Sequence, residues 1–454
     1  MKGKGIMTLI AALWLGGSPS MAQEQGNTLS GEPWTLDRCV EYALENNIDI
    51  KRKELAKEEK EVGVSEGKWA FSPSLYFSTS GSASSGRVLD QTTYEFIKNS
   101  TVGSSSSSIA GSLDLFSGMS RVYALQRAKL DLQSESAGLE SLKYDVRKSV
   151  TAAFLAVLCA ESDHQSALQA KALLESQLER IEILVDAGKV TESDRLQAKA
   201  QLFAAECDVA TAEGAEETAR MELCQLLEIK DYTSFSVVED TDLSDAGYDF
   251  SGIGRTATSR PEYRSAELAI EIARKDLLIA KSSFYPSLSL SAGYGSSFST
   301  ARQKSIQNPD GTFRYEAYPF FEQYVDNRSS YVSLSLNIPI FNAMSTRNAV
   351  RRRELAVRDA EYVLQKTEKE LNKEHMQAGI DCQTAYRKYL AAMEQLNFAE
   401  EAERQVRDRY ELGAADFNAW NIAATELAKA RYSFSEAKYT YIFNEKILIM
   451  FQLC

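Results

Sequence analysis

The chain has 454 residues, of which 25% are charged and 44% hydrophobic, with a formal net charge of −13. That composition describes a folded chain, with room for two or three ordinary domains or one large repeat-built body. The acidic balance leaves no basic stripe for nucleic acid, and only eight prolines interrupt the chain, which favours long helices.

Residues 1–22 read as a secretory signal peptide. Lys2 and Lys4 form a charged start, residues 6–15 are an apolar run too short to span a bilayer, and Ser20-Met21-Ala22 gives a small-x-small cleavage site. The next cysteine, Cys39, lies far downstream, so no lipid anchor is expected. A first repeat is expected over 23–229. Thr35 opens a helix with Asp37 in its positive first turn, and the helical pattern runs to Pro73 with a turn at Asn46-Asn47. Strand-like runs follow at 74–82 and 108–116, on either side of a Ser/Gly-rich loop.

From Met119 to Ala187 no proline occurs, which predicts roughly 100 Å of helix. Ala167, Leu174, Leu178, Ile181 and Val185 follow the sevens, fours and threes of a left-handed packing seam. Such a length exceeds a globular core and implies a rod. The pattern stops at a tip near 186–190, where Gly188 suits a left-handed C-cap, and Thr191 supplies an N-cap oxygen for a returning helix. Residues 230–254 are acidic and irregular, and read as a linker packed on the side of the rod.

The second repeat is expected over 255–454. Pro261 suits a first helical position, and strands are predicted at 287–296 and 331–340. A second long helix runs from Ala343 to a tip near 412–416, where Gly413 and Asp416 stand in for Gly188 and Thr191. The offset between copies grows from 213 at Pro73/Pro286 to 225 at Gly188/Gly413, so the second strand-to-strand loop is longer, as exposed loop tips allow.

The strands alternate with period two. Val332, Leu334, Leu336, Ile338 and Ile340 interleave with Ser333, Ser335, Asn337 and Pro339, and Leu288, Leu290, Ala292 and Tyr294 with serine and Gly293. In the first copy Ile109, Gly111, Leu113 and Leu115 oppose Ala110, Ser112 and Asp114. This pattern fits a half-buried soluble sheet or a membrane barrel strand. The runs approach the roughly 9–11 residues a barrel strand needs, and the Ser/Asn face suits a wet lumen. Four strands cannot close a barrel, so the barrel reading demands oligomers; three copies would supply twelve strands. The six cysteines have no metal-type spacing and read as structural thiols, with a disulfide open in an oxidising compartment. His164 and His375 read as surface residues. No nucleophile-elbow, zinc-protease or Ser/His/Asp pattern is present, so no catalytic residue, metal or cofactor is expected.

These features in this order resemble the TolC-like family of outer membrane efflux proteins. The resemblance rests on FSPSL and FYPSLSLSAGYG entering the strands, LDLFSG and IPIFNA leaving them, the two glycine tips, and the closing run ELAKARYSFSEAKYTYIFNEKILIMF. It implies an α+β membrane protein of a Gram-negative outer membrane: a homotrimeric twelve-stranded β-barrel continued by a helical coiled-coil periplasmic tunnel, with two tandem repeats per chain. It implies a passive exit duct for efflux or type I secretion, docked on a periplasmic adaptor and an inner-membrane pump. Ala187-Gly188-Lys189 and Leu412-Gly413-Ala414 match the adaptor-contacting turns. Asp194 matches an acidic gate position and Tyr410 a gate tyrosine, whereas the family's gate arginine falls on Ala415 and its aspartate ring on Ala419 and Ile422. Asp194 is also placed as the third residue of a capping box with Thr191. In the barrel Ile109, Leu113, Leu115, Leu288, Leu290, Val332, Leu334, Leu336 and Ile338 would face lipid. The competing reading is a periplasmic coiled-coil adaptor or scaffold without a barrel.

Overall fold

The computed structural model describes residues 33–89, 96–233, 235–239 and 258–453. The expected signal peptide and residues 240–254 of the expected linker lie outside the described residues. The elements run α1 (Leu36–Asn46), α2 (Ile48–Trp69), β1 (Ser74–Leu89), β2 (Phe96–Ser117), α3 (Ser120–Asp186) and α4 (Glu192–Leu226) in the first copy. The second copy runs α5 (Pro261–Ser282), β3 (Ser287–Ser299), β4 (Gln303–Gln307), β5 (Phe313–Ala317), α6 (Phe320–Asp326), β6 (Ser329–Asn337), α7 (Ser345–Glu411) and α8 (Phe417–Leu453).

The long helices are continuous. α3 and α7 each span 67 residues, roughly 100 Å. Each begins from a left-handed residue, Met119 at φ 69° and Met344 at φ 64°, preceded by a second one, Gly118 at φ 62° and Ala343 at φ 52°. A Cβ on Gly118 would stand 2.4 Å from the Ser282 carbonyl oxygen, so that position accepts only glycine. Among the described residues, no helix is long and apolar enough to cross a membrane.

Three apolar clusters hold the rod. The largest joins Trp34, Cys39, Val150, Phe154 and Leu223 where α1 meets the middle of α3 and the end of α4. The start of the linker packs there: Phe235 is buried beside Trp34, and Trp34 and Val237 form a parallel bridge. A second cluster joins Cys382 and Ala385 to Tyr441 and Leu448, and a third sits at the tips. The second repeat begins at Arg260, in the place Asn47 holds in the first. Asn47 caps α2 and donates to the Leu226 carbonyl at 3.2 Å. Arg260 instead lies buried over the rings of Tyr144 and Phe451, 4.0 and 4.8 Å from their centroids, and pairs with Glu262 at 3.1 Å.

Both histidines differ from expectation. His375 is buried, stacked on Phe451 at 5.6 Å, because α3, α5, α7 and α8 converge there. Burial and the nearby Arg260 charge push its pKa down. His164 is half-buried, with Nδ1 2.6 Å from Glu216. The five described cysteines are free thiols, and burial pushes Cys39 up to about 12.

The sheet order is β1-β2-β3-β6, all antiparallel. Its first hairpin is longer than the expected 74–82 and 108–116, because the Ser-rich segments pair instead of looping out. Hydroxyl pairs Ser78–Ser108, Thr79–Ser107, Ser80–Ser106 and Ser82–Ser104 lie 2.8–2.9 Å apart along the ladder. β6 stops at Asn337, short of the expected Ile340, since Pro339 has no N–H to give a ladder. The long second loop holds the β4–β5 hairpin and α6, which the sequence pattern did not announce.

Candidate functional site

The sheet is bare. Leu334, Leu336 and Val332 are exposed on one face, and Ser333 and Ser335 on the other. β1 and β6 are edge strands with one neighbour each. Cross-strand partners share a face, so the ladder sorts the side chains directly. Leu288, Leu290 and Ala292 stand opposite Leu336, Leu334 and Val332, and also opposite Phe116, Leu113 and Gly111. Phe77, paired with Ile109, and Leu75, paired with Gly111, extend this apolar face onto β1. Leu115 is the exception. A bulge between Asp114 and Phe116 leaves Leu115 without a ladder partner, and Phe116 takes the place opposite Leu288. Ile338 lies beyond the end of β6. With Ile340, which is 95% exposed, Phe341, Phe284 and Tyr285 it forms an apolar collar where sheet meets helix.

The opposite face carries Ser74, Ser108, Ser112, Ser287, Ser289, Ser291, Ser333, Ser335 and Asn337, the residues left by the same pairing. Gly293 on this face lies under the ring of its partner Tyr331, which would stand 2.5 Å from an added Cβ. Leu, Val and Ile thus gather on one side of the sheet and hydroxyls on the other.

At the far end of the rod the two tips lie together. Each is a Schellman turn. At the first, Gly188 N–H donates to Val185 O and Lys189 N–H to Leu184 O, both at 2.9 Å, with Gly188 at φ 69°. At the second, Gly413 donates to Tyr410 O at 3.0 Å and Ala414 to Arg409 O at 2.8 Å, with Gly413 at φ 73°. Thr191 and Asp194 form a reciprocal capping box, whose hydrogen bonds hold the Asp194 carboxyl below the usual carboxylate range. Asp416 caps α8 through the Ala419 N–H at 2.8 Å.

Asp194 and Tyr410 are not joined to each other. Asp194 accepts from Thr191 N–H at 2.9 Å and from its hydroxyl at 2.7 Å. The Tyr410 hydroxyl accepts from Gln177 Nε2 of α3 at 2.6 Å, and Arg180 lies over its ring at 5.4 Å. Tyr410 thus ties the second hairpin to the first. Behind it Trp420, 1% exposed, packs with Ile181, Ala198 and Phe417. The indole N–H donates to the buried Glu403 at 3.1 Å, and Arg407 pairs with Glu403 at 3.4 Å. Gln177, Glu403 and Trp420 escaped the sequence reading. A tryptophan four positions into a capped helix was the available signal.

The family model for outer membrane efflux proteins matches residues 39–227 and 252–448, which takes in both repeats. No curated protein sequence matches the chain. Among solved structures the chain is similar to the Campylobacter jejuni CmeC outer membrane channel, at 17% identity and a TM-score of 0.77 over 92% of this chain and 85% of that one. It is similar to the outer membrane protein VceC of Vibrio cholerae at 15% identity and a TM-score of 0.72, over 91% and 95% of the two chains. The open-state MtrE outer membrane channel of Neisseria gonorrhoeae matches at 18% identity and a TM-score of 0.70, over 92% and 88%. Neither the family nor these folds supports a periplasmic scaffold without a barrel. The chain belongs to the outer membrane efflux protein family, and it acts as an exit duct of efflux systems, not as an enzyme.

Proposed function

We propose that three copies close a twelve-stranded barrel in the outer membrane of a Gram-negative bacterium and a coiled-coil tunnel through its periplasm. The observation that carries this reading is the bare four-stranded sheet with two free edges. An exposed edge and an uncovered apolar face are stable only when another strand and an apolar medium complete them. Three such sheets give twelve strands, an even number within the range of membrane barrels. Ile109, Leu113, Phe116, Leu288, Leu290, Val332, Leu334 and Leu336 then face lipid, and the serine face lines the water-filled bore. Residues 1–22 direct export.

The helical tips form the periplasmic mouth. The turns Ala187-Gly188-Lys189 and Leu412-Gly413-Ala414 meet a periplasmic adaptor, which couples the duct to an inner-membrane pump. Asp194 and Tyr410 act at the gate, Tyr410 through its bond to Gln177, which keeps the two hairpins of one chain together. A move of one hairpin against the other breaks that bond together with the one from Arg180 to the Glu411 carbonyl at 3.4 Å.

The full-length protein is expected in the membrane fraction, extracted by detergent as a trimer that conducts ions across planar bilayers. Recovery as a water-soluble monomer refutes the proposal. Placing arginine at Val332, whose partner Ala292 lies near the middle of the strand, is expected to reduce trimer yield sharply, since a charge on the lipid face costs ~2–4 kcal/mol at the midplane. Normal yield would put Val332 on the lumen side.

A further inference from the structure

The apolar face of the sheet does not continue to its outer end. On β2, Ile109, Gly111 and Leu113 are followed on the same face by Ser107 and Ser105, opposite Ser296 and Phe298 of β3. Left open, these hydroxyls would put a polar step in the wall. Helix α6 covers them. The Tyr324 hydroxyl lies 2.6 Å from Ser105 Oγ and 3.3 Å from Ser107 Oγ, and Ser296 donates its hydroxyl to the Tyr324 carbonyl at 2.7 Å. The Phe320 ring packs on Phe298 and Tyr324, with centroids 4.9 and 4.6 Å away.

The helix is clamped, not loosely laid. Gln323, fully buried, accepts from the Ser299 N–H at 3.0 Å and donates to the Ser299 and Tyr318 carbonyls at 3.0 and 2.9 Å. Asn327 donates to the Ser297 carbonyl at 2.7 Å. On the outward side of the helix Phe321 is 81% exposed and Val325 51%. Gln323, Tyr324 and Asn327 thus turn polar groups to the sheet, while Phe321 and Val325 turn apolar ones away from it, flanked by the exposed Glu322 and Asp326.

The height of the helix fits this inversion. Leu288 at the collar and Phe298 under α6 are ten residues apart on one strand, which is ~34 Å along the strand and about 25 Å along the normal at barrel tilt. That is the thickness of an apolar barrel band, so α6 lies at the opposite boundary from Phe284, Tyr285 and Phe341. Large aromatic side chains favour that boundary, where apolar contact and hydration are both available.

We infer that α6 is a lipid-contacting helix, which seats Phe321 and Val325 at the headgroup–acyl boundary of the outer leaflet and restores an apolar wall over the serine patch. The inference rests on the lipid-facing reading of the sheet. A lipid surface is the occupant because the helix lies on the same face of the sheet as the Leu290–Leu334 stripe and carries its exposed apolar side chains beyond the end of that stripe. The ion pair Lys304–Glu322 at 2.8 Å marks the watered rim beside it.

The test is depth-dependent quenching in the full-length protein, reconstituted in phosphatidylcholine vesicles brominated either near the headgroup or deep in the acyl chain. Phe321→Trp is compared with Val332→Trp, whose partner Ala292 lies near the middle of the band, each read as emission added to that of the native tryptophans. Phe321 is exposed, so its replacement leaves the clamp of α6 intact. The emission added by Phe321→Trp is expected to be roughly halved by shallow bromines and less affected by deep ones, with the opposite order for Val332→Trp. Quenching of Val332→Trp alone overturns the lipid contact of α6 and leaves the barrel standing. Quenching of Phe321→Trp by deep bromines only also overturns it. Loss of quenching at both positions removes the lipid-facing reading of the sheet itself.

Discussion

The tips at Gly188 and Gly413 have the same backbone, a Schellman turn followed by a side-chain cap, 225 positions apart. Their side chains diverge. The first tip carries Lys189, Glu192, Asp194 and Arg195, is closed by a capping box, and meets solvent. At the matching places the second has Ala414, Phe417, Ala419 and Trp420, and it turns Phe417 and Trp420 into the cluster shared by both hairpins. Repetition preserved the turn because backbone geometry demands it. It left the side chains free to specialise, the first tip holding itself locally and the second holding the pair together.

The sharpest way to break this comparison is Trp420→Ala. Truncating a fully buried tryptophan costs about 3–5 kcal/mol, and it also leaves Glu403 without the indole donor. Faster amide hydrogen exchange is expected at the ends of both α3 and α7, because the cluster spans both hairpins. Exchange confined to α7 and α8 would mean that the tips are independent. The matching change at the first tip, Arg195→Ala, is expected to leave exchange unchanged.

Next in size are Gly188→Ala and Gly413→Ala. Each forces a left-handed residue to carry a Cβ at a cost of about 1–2 kcal/mol, and neither Cβ meets a neighbour within 4 Å. Equal losses in thermal stability are therefore expected. A much larger loss at Gly413 would show that packing, not backbone conformation, selects its glycine.

The smaller effects separate the caps. Thr191→Ala is expected to cost about 1 kcal/mol and to loosen α4 alone, as read from the exchange of its first-turn amides. The Asp194 carboxylate, stabilised by two hydrogen bonds from Thr191, titrates below its unfolded value near 4. Its contribution is thus present above that value and lost as pH falls through the folded pKa. Acid below about pH 4 is expected to speed exchange at the first tip in the parent but not in Asp194→Asn. An unchanged acid response in that variant would assign the loosening to another group.

How much of this was legible in the sequence follows from how local each signal is. Gly188, Gly413, Thr191 and Asp416 announce turns and caps because the requirement lies within four or five residues of chain. The rod was legible from length and from the spacing of Leu174, Leu178 and Ile181. Gln177 with Tyr410, and Glu403 with Trp420, are joined only when helices pack, and nothing in the spacing of glutamine or glutamate marks them. The extension of β1 and β2 was hidden because a run such as 104–108, five serines, has no contrast between faces. Leu115 was placed by alternation, which one extra residue in a bulge overrides. Helix α6 is too short, at seven residues, to show a helical period.

The equal length of α3 and α7, 67 residues each, has a consequence for the reach of the duct. The two helices act as matched rulers: they start from the same left-handed turn and end at the same glycine turn, so both tips arrive at one plane. Deleting seven residues from α3, α4, α7 and α8 together keeps every seam in phase and draws the mouth ~10 Å toward the membrane. Deleting them from one hairpin alone staggers the rim by the same amount and pulls Tyr410 away from Gln177. The span of such a duct can therefore change only in steps of two helical turns taken in all four helices at once, which ties the reach of each hairpin to that of the other.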